Sequence, residues 1–180
     1  RIGPRINARG RLSHAGAGVE LLLSQDTHKA QELATLLDQA NQERREIEKN
    51  TVEAAIARVQ ELEIDSQASL VLYDETWHPG VLGLVASRLT RQFCRPSVVI
   101  GQGGKGSARS IEGVNIYTAM AAAQIHTQRF GGHRAAAGLT IEPHKISAFS
   151  AALDAAVREQ KGAPPYVATV QPDMEIPSHL

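Results

Sequence analysis

The segment RFGGHRAAAG, residues 129–138, places two glycines directly before a histidine and between two arginines. Glycine lets a ligand come close to the backbone, so Gly131 and Gly132 predict a bare loop surface. His133 could donate a hydrogen bond to a phosphate oxygen there, or stabilise charge that develops on it during a reaction. A lone histidine is more often structural, and that alternative stays open. We take His133 as the candidate catalytic residue.

A second segment, GGKGSARS, combines three glycines, a lysine, two serines and an arginine within residues 103–110. Glycine-rich backbone can wrap a phosphate, and Ser107, Arg109 and Ser110 would add hydrogen-bond donors. The spacing does not fit the nucleotide-binding P-loop, and no helix follows at once. The alternative interpretation is an ordinary hairpin turn.

Two further segments carry candidate anion donors. The arginines of RINARGR, residues 5–11, are crowded enough to form a phosphate clamp, although a solvated basic turn would have the same composition. In WHPGVLG, a Pro-Gly pair leads into a helix whose first backbone N–H groups favour an anion. His78 could bind substrate or a metal-bound water there. The alternative is a loop histidine beside Trp77 packed in the core.

The composition narrows the class of protein. Basic and acidic residues balance at 19 each, so the net charge does not indicate a nucleic-acid partner. Aromatic residues are only 4% of the 180 residues, which leaves few side chains for stacking with single-stranded bases. The one cysteine excludes a disulfide framework. The seven histidines show no helical metal-binding pair, and we predict no metal site in this chain. No signal peptide or membrane span is visible. The single cysteine favours a reducing cytoplasm, and a sequence that opens without Met inside a motif leads us to expect a segment of a longer protein.

The elements that position these segments follow from hydrophobic periodicity. Residues 27–62 predict one long helix with Thr27 as its N-cap. Its polar middle, NQERREIEKN, favours a helix that bridges two bodies, although an amphipathic helix lying along one domain is the alternative. Strands and helices alternate further along the chain, which predicts a small α/β domain. The predicted strands are 69–74, 96–101, 107–111 and 138–142, and the predicted helices are 81–93, 115–125 and 143–160.

Four motifs occur in the order GPRINARGRL, LYDETWHPGVLGLVASRL, GKGSARSIEGVNIY and RFGGHRAAAGLTI. This order resembles the bacterial RecJ family of single-strand-specific 5′→3′ DNA exonucleases, which belongs to the DHH phosphoesterase superfamily. The resemblance implies an α/β fold in which a long connecting helix precedes a DHH-associated domain with a central sheet flanked by helices. The implied boundaries are 1–26 for the end of the catalytic DHH domain, 27–66 for the connecting helix, 67–162 for the DHH-associated domain and 163–180 for a linker and the start of an OB-fold.

The resemblance also implies roles and partners. By motif, Arg5, Asn7 and Arg11 lie beside the active cleft, Ser107, Arg109 and Ser110 clamp the strand, and the Gly-Gly-His element faces the scissile phosphate. Mn²⁺ or Mg²⁺ would be bound by the DHH domain of the full-length parent and not by this chain, which alone should be inactive. Single-stranded DNA is the implied partner, with a single-strand-binding protein or a helicase as further partners, in DNA repair and recombination. The alternatives are a non-catalytic nucleic-acid-binding module and a DHH-type oligoribonuclease or cyclic-dinucleotide phosphodiesterase.

Overall fold

A computed structural model describes residues 2–12 and 15–167 of this chain. Helices and strands alternate along it around one central sheet, which confirms the predicted α/β class with its long helix. The helices are α1 (Ile2–Leu12), α2 (Gly16–Leu23), α3 (Thr27–Gln60), α4 (Leu82–Phe93), α5 (Ile116–Ala122) and α6 (Ile146–Lys161). The strands are β1 (Leu70–Tyr73), β2 (Ser97–Ile100), β3 (Lys105–Arg109), β4 (Arg129–Gly132) and β5 (Ala136–Thr140).

The long helix α3 links two groups of elements. Its first half packs on α1 and α2, and its last turns join the core under α4. The N-cap is Asp26 rather than Thr27, because the Asp26 carboxylate accepts the first free backbone N–H groups of the helix. The polar middle is not solvated all round. Asn41 and Arg44 are buried there, and the Arg44 guanidinium donates to Asn41 and to Glu48.

The five strands form one mixed sheet in the order β1-β2-β3-β5-β4. β1 and β2 are parallel, and α4 provides the crossover that a parallel pair requires. The other neighbouring strands are antiparallel, and β4 and β5 form a hairpin at one edge. One sheet face packs on α5 and α6, through residues such as Ala108, Phe149 and Leu153. The other face packs on α3 and α4, through residues such as Val99 and Val85.

The RINARGR segment is helical, in α1, which excludes the alternative of a basic turn. Two sequence predictions were wrong locally. The RFGG segment is strand β4 and not a loop, because pairing with β5 outweighs the low strand preference of glycine. Strand β3 begins at Lys105 and ends at Arg109, so Ser110 lies beyond it. The predicted OB-fold strand lies almost wholly outside the described residues, as do residues 1, 13 and 14.

No helix among residues 2–12 and 15–167 combines the length and the apolar character needed to cross a membrane.

Candidate functional site

Strand β3 supplies the first side chains of the site by alternation. Successive side chains of a strand point to opposite faces of the sheet. Ala108 is fully buried in the core against α5 and α6, so its neighbours Ser107 and Arg109 lie on the opposite face, as does Lys105. This is the face that α4 covers in part.

Glycines continue this face across the hairpin. Ser107 pairs with Gly138 of β5, which pairs in turn with Gly131 of β4, and both glycines are exposed. A methyl group built on Gly131 would have no atom within 4 Å. The sheet therefore has a strip of bare backbone beside Ser107. A shallow groove of about 430 Å³ follows this strip, with Lys105, Ser107, Arg129, Gly131, Gly138 and Thr140 among its lining.

The two glycines of the Gly-Gly-His element have different roles. At Gly132, φ is +155°, and an added methyl group would lie 2.4 Å from Cα of Ala137 and 2.5 Å from the carbonyl oxygen of Ala136. The hairpin itself therefore requires glycine at this position. Gly131 meets no such constraint, so its missing side chain matters for what can approach the groove and not for the fold.

His133 lies at the end of the hairpin in a fixed backbone. Its N–H donates to the carbonyl of Ala136 at 2.8 Å, and the turn is tied to the domain where the carbonyls of Arg134 and Ala135 accept N–H groups of Ile116 and Ser110. The imidazole is exposed, and no hydrogen bond to it is found among the described residues.

The sheet register aligns His133 with Arg109. Ala136 is the partner of Arg109 across β3 and β5, and it is also the residue bonded to His133. The two backbones are therefore two strand spacings apart, about 10 Å. Side chains that extend from the same face at this separation can contact one anion between them.

The Arg109 guanidinium lies against the first turn of α4. A methyl group on Gly83 would be 2.8 Å from its Nη2 atom and 3.6 Å from Oγ of Ser107, and Nη1 donates to the carbonyl of Ala108. Burial, and secondarily the positive charge of Arg11, lower the pKa of Arg109. Among the described residues no carboxylate lies within ion-pair distance of either arginine. Two neighbouring arginines without an acidic partner can bind an anion between them.

The WHPG segment holds the end of α1, and with it Arg11, near Arg109. A methyl group on Gly80 would be 1.9 Å from the carbonyl oxygen of Arg11, so glycine allows the loop to touch the end of α1. Nδ1 of His78 accepts the Gly80 N–H at 3.0 Å, so a neutral His78 carries its proton on Nε2, where it can be donated. Trp77 is buried in the core, as the alternative interpretation expected.

Two predicted phosphate ligands are placed elsewhere. Arg5 pairs with Asp38 of α3 at 2.5 Å. The Ser110 hydroxyl donates to the carbonyl of Val114 at 2.8 Å, so its proton is used to stabilise the turn before α5. Asn7 lies one helical turn from Arg11, and both line a second groove, between α1, α3 and α4. The structure thus groups Arg11, His78, Ser107, Arg109, Gly131 and His133, places Asn7 beside Arg11 in the second groove, and separates Arg5 and Ser110 from them.

Lys105, Arg129, Gly83 and Gly138 were missed by the sequence analysis. Lys105 and Arg129 could have been found from period-two alternation, because each lies two residues from Ser107 or Gly131. Gly83 and Gly138 depend on cross-strand and helix contacts that the sequence does not show.

The donor set suits anions and not a divalent cation. Guanidinium, ammonium and hydroxyl donors hold phosphate, whereas Mg²⁺ and Mn²⁺ favour oxygen ligands such as carboxylates, which the grouped residues lack. Within the described part of the chain, no three His, Cys, Asp or Glu residues are grouped as potential metal ligands.

The family model of the DHHA1 domain matches residues 66–159. This chain belongs to the DHHA1 domain family. Its DHHA1 domain and the preceding helices are similar to the single-stranded-DNA-specific exonuclease RecJ of Haemophilus influenzae, with 44% identity over 82% of this chain and 28% of that protein. They are also similar to RecJ of Bacillus subtilis, with 39% identity over 81% of this chain and 19% of that protein.

Solved structures agree with this assignment of the DHHA1 domain. The crystal structure of RecJ from Thermus thermophilus in complex with Mg²⁺ matches 91% of this chain and 26% of its own, with a TM-score of 0.84 and 33% identity. A second structure, exonuclease RecJ bound to manganese, matches 87% of this chain and 40% of its own, with a TM-score of 0.79 and 34% identity. The chain is a RecJ-type fragment that spans less than a third of the length of these two curated relatives. These similarities favour neither the non-catalytic module nor the oligoribonuclease.

Proposed function

We propose that this chain is the strand-holding part of a metal-dependent 5′→3′ exonuclease specific for single-stranded DNA. The observation that carries the proposal is the sheet register that places Arg109 and His133 in one cross-strand row, next to the bare strip at Gly138 and Gly131. Arg109, Arg11 and Ser107 would hold one phosphate, and the glycine strip would let the sugar-phosphate backbone lie directly on the sheet. The relatives named as single-stranded-DNA-specific exonucleases support this substrate.

His133 would contact the scissile phosphate itself. Its backbone is fixed in the hairpin, and its exposed imidazole would donate to an oxygen of that phosphate and stabilise the charge that develops there. Hydrolysis would also require Mn²⁺ or Mg²⁺, which would be held by residues outside this chain and would activate water. The Mg²⁺ and Mn²⁺ complexes of RecJ support this metal class. The chain alone would then bind DNA without cleaving it.

We extend the proposal to the cellular role of the parent: a cytoplasmic enzyme of DNA repair and recombination, with a single-strand-binding protein or a helicase as partner. The family resemblance supports these points. Binding of the chain to a single-strand-binding protein or a helicase would test the proposed partner.

The test is a titration of the chain into labelled single-stranded DNA, followed by fluorescence anisotropy. Loss of one charge-assisted contact costs about 1.5–3 kcal/mol, so Arg109→Gln and His133→Gln should each weaken binding about tenfold or more. Arg91→Gln is the matched control, because Arg91 is an exposed arginine of α4 whose Nε donates to the carbonyl of Ser87. Equal binding by all the variants would refute the proposal, and so would DNA cleavage by the pure chain with Mn²⁺.

A further inference from the structure

A second groove, larger than the one on the sheet, lies between α1, α3 and α4. It encloses about 980 Å³ and is lined by five basic side chains and two acidic ones. The chain as a whole has a net charge of zero, so this surplus is concentrated locally. The basic residues are Arg11, Arg44, Arg45, Lys49 and Arg88, and the acidic ones are Glu48 and Glu53.

The two acidic residues are already paired. Glu48 accepts from Arg44 at 2.6 Å, and Glu53 lies 3.9 Å from Lys49. The other two arginines from α3 and α4, Arg45 and Arg88, have no acidic partner among the described residues. They are exposed and line the same groove from opposite helices. Their charges are therefore available for an anion.

Arg44 lies at the base of the groove. The residue is only 8% exposed, and its guanidinium is held by donation to Glu48 and to Asn41. Its Nε atom is fully buried, so a ligand in the groove does not reach that N–H. Arg44 therefore fixes the floor of the groove, and Arg45 and Arg88 supply the charge that is free for a ligand.

The groove is continuous with the phosphate site on the sheet. Arg11 lines the groove and is also the charge that acts on Arg109. Gly83 touches the Arg109 guanidinium, and Arg88 follows five residues later on α4, about 7.5 Å along the helix axis and about 140° further round it, where it lines the groove. Arg11 is therefore the residue that joins the two sites.

We propose that this groove binds the next phosphates of the same DNA strand, through Arg45 and Arg88. The inference rests on the proposed function, because it extends the path of the strand held at Arg109. The groove would make binding depend on strand length, since only a strand that extends beyond Arg109 reaches it.

The test compares labelled oligothymidylates of about three and about twelve nucleotides. The variants are the double substitution Arg45→Gln with Arg88→Gln, the conservative pair Arg45→Lys with Arg88→Lys, Arg109→Gln, and Arg91→Gln as control. We expect the glutamine pair to weaken binding of the longer strand about tenfold and to leave the shorter strand within about twofold, with the lysine pair restoring most of the loss. Far-ultraviolet circular dichroism checks that each variant is folded.

The outcomes separate the two proposals. If the glutamine pair binds the longer strand like the wild type, or weakens both lengths equally, while Arg109→Gln weakens both, the groove proposal is overturned alone. If Arg109→Gln leaves both lengths unchanged, the proposed function fails, and the groove proposal fails with it.

Discussion

The adjacent glycines of the Gly-Gly-His element should respond to alanine in opposite ways. At Gly132 the new methyl group would lie 2.4 Å from the backbone of Ala137, at a φ of +155° that disfavours a side chain. Overpacking costs about 1–3 kcal/mol and the unfavourable φ about 1–2 kcal/mol, so we expect Gly132→Ala to destabilise the chain by about 3 kcal/mol.

At Gly131 the methyl group meets nothing within 4 Å, and alanine restricts the unfolded chain more than glycine does. Gly131→Ala should therefore stabilise the fold by about 0.5 kcal/mol. The same methyl group would stand on the floor of the groove and push a DNA strand away from the sheet. Losing one phosphate contact there would weaken binding about tenfold.

Urea unfolding and anisotropy with labelled single-stranded DNA measure the two effects separately, and each glycine is the control for the other. A Gly132→Ala variant as stable as the wild type would contradict the close approach of β4 to β5. A Gly131→Ala variant that binds DNA normally would contradict the position of the strand on the bare sheet.

Three other substitutions test parts of this account. Gly83→Ala should leave the stability of the fold unchanged or raise it, because alanine favours helix more than glycine does. Its methyl group should displace the Arg109 guanidinium and weaken DNA binding. Normal DNA binding by this variant would show that Arg109 is not held at Gly83. Hydrogen bonds from Thr76 lower the pKa of Asp74, so this carboxylate stabilises the fold above about pH 4 and the effect is lost as the pH falls. The stability gap between the wild type and Asp74→Asn in urea should then shrink on acidification, and a gap independent of pH would refute this. Asp154→Ala removes the acceptor of two backbone N–H groups before β1 and should lower the free energy of unfolding by about 2–3 kcal/mol. Asp154→Asn should recover part of that loss. A loss below about 0.5 kcal/mol in Asp154→Ala would contradict this role.

The regular elements could be predicted because their patterns are local. The predicted helix 81–93 is α4, whose buried stripe of Leu82, Val85 and Leu89 follows the helical period. The predicted helix 115–125 is α5, which the Asn115 side chain caps. The RFGG strand could not be read this way, because two glycines carry no strand preference and their pairing comes from β5.

Some features of the candidate site could likewise be predicted from the sequence, and others could not. The residue types alone indicated phosphate donors at Ser107, Arg109 and His133. The sequence did not show that Ser110 turns its hydroxyl to Val114 or that Arg5 pairs with Asp38, because both depend on partners brought close only by folding. The separate roles of the two glycines likewise depend on the distance to the next strand.

The most direct test of the central claim is the salt dependence of single-stranded DNA binding. Each phosphate contact adds about 0.7 to the slope of log affinity against log salt concentration for a single strand. We predict that Arg109→Gln lowers this slope by about 0.7 relative to the wild type, and that Arg91→Gln leaves it unchanged. Equal slopes for the wild type and Arg109→Gln would show that Arg109 contacts no phosphate, and would contradict the account.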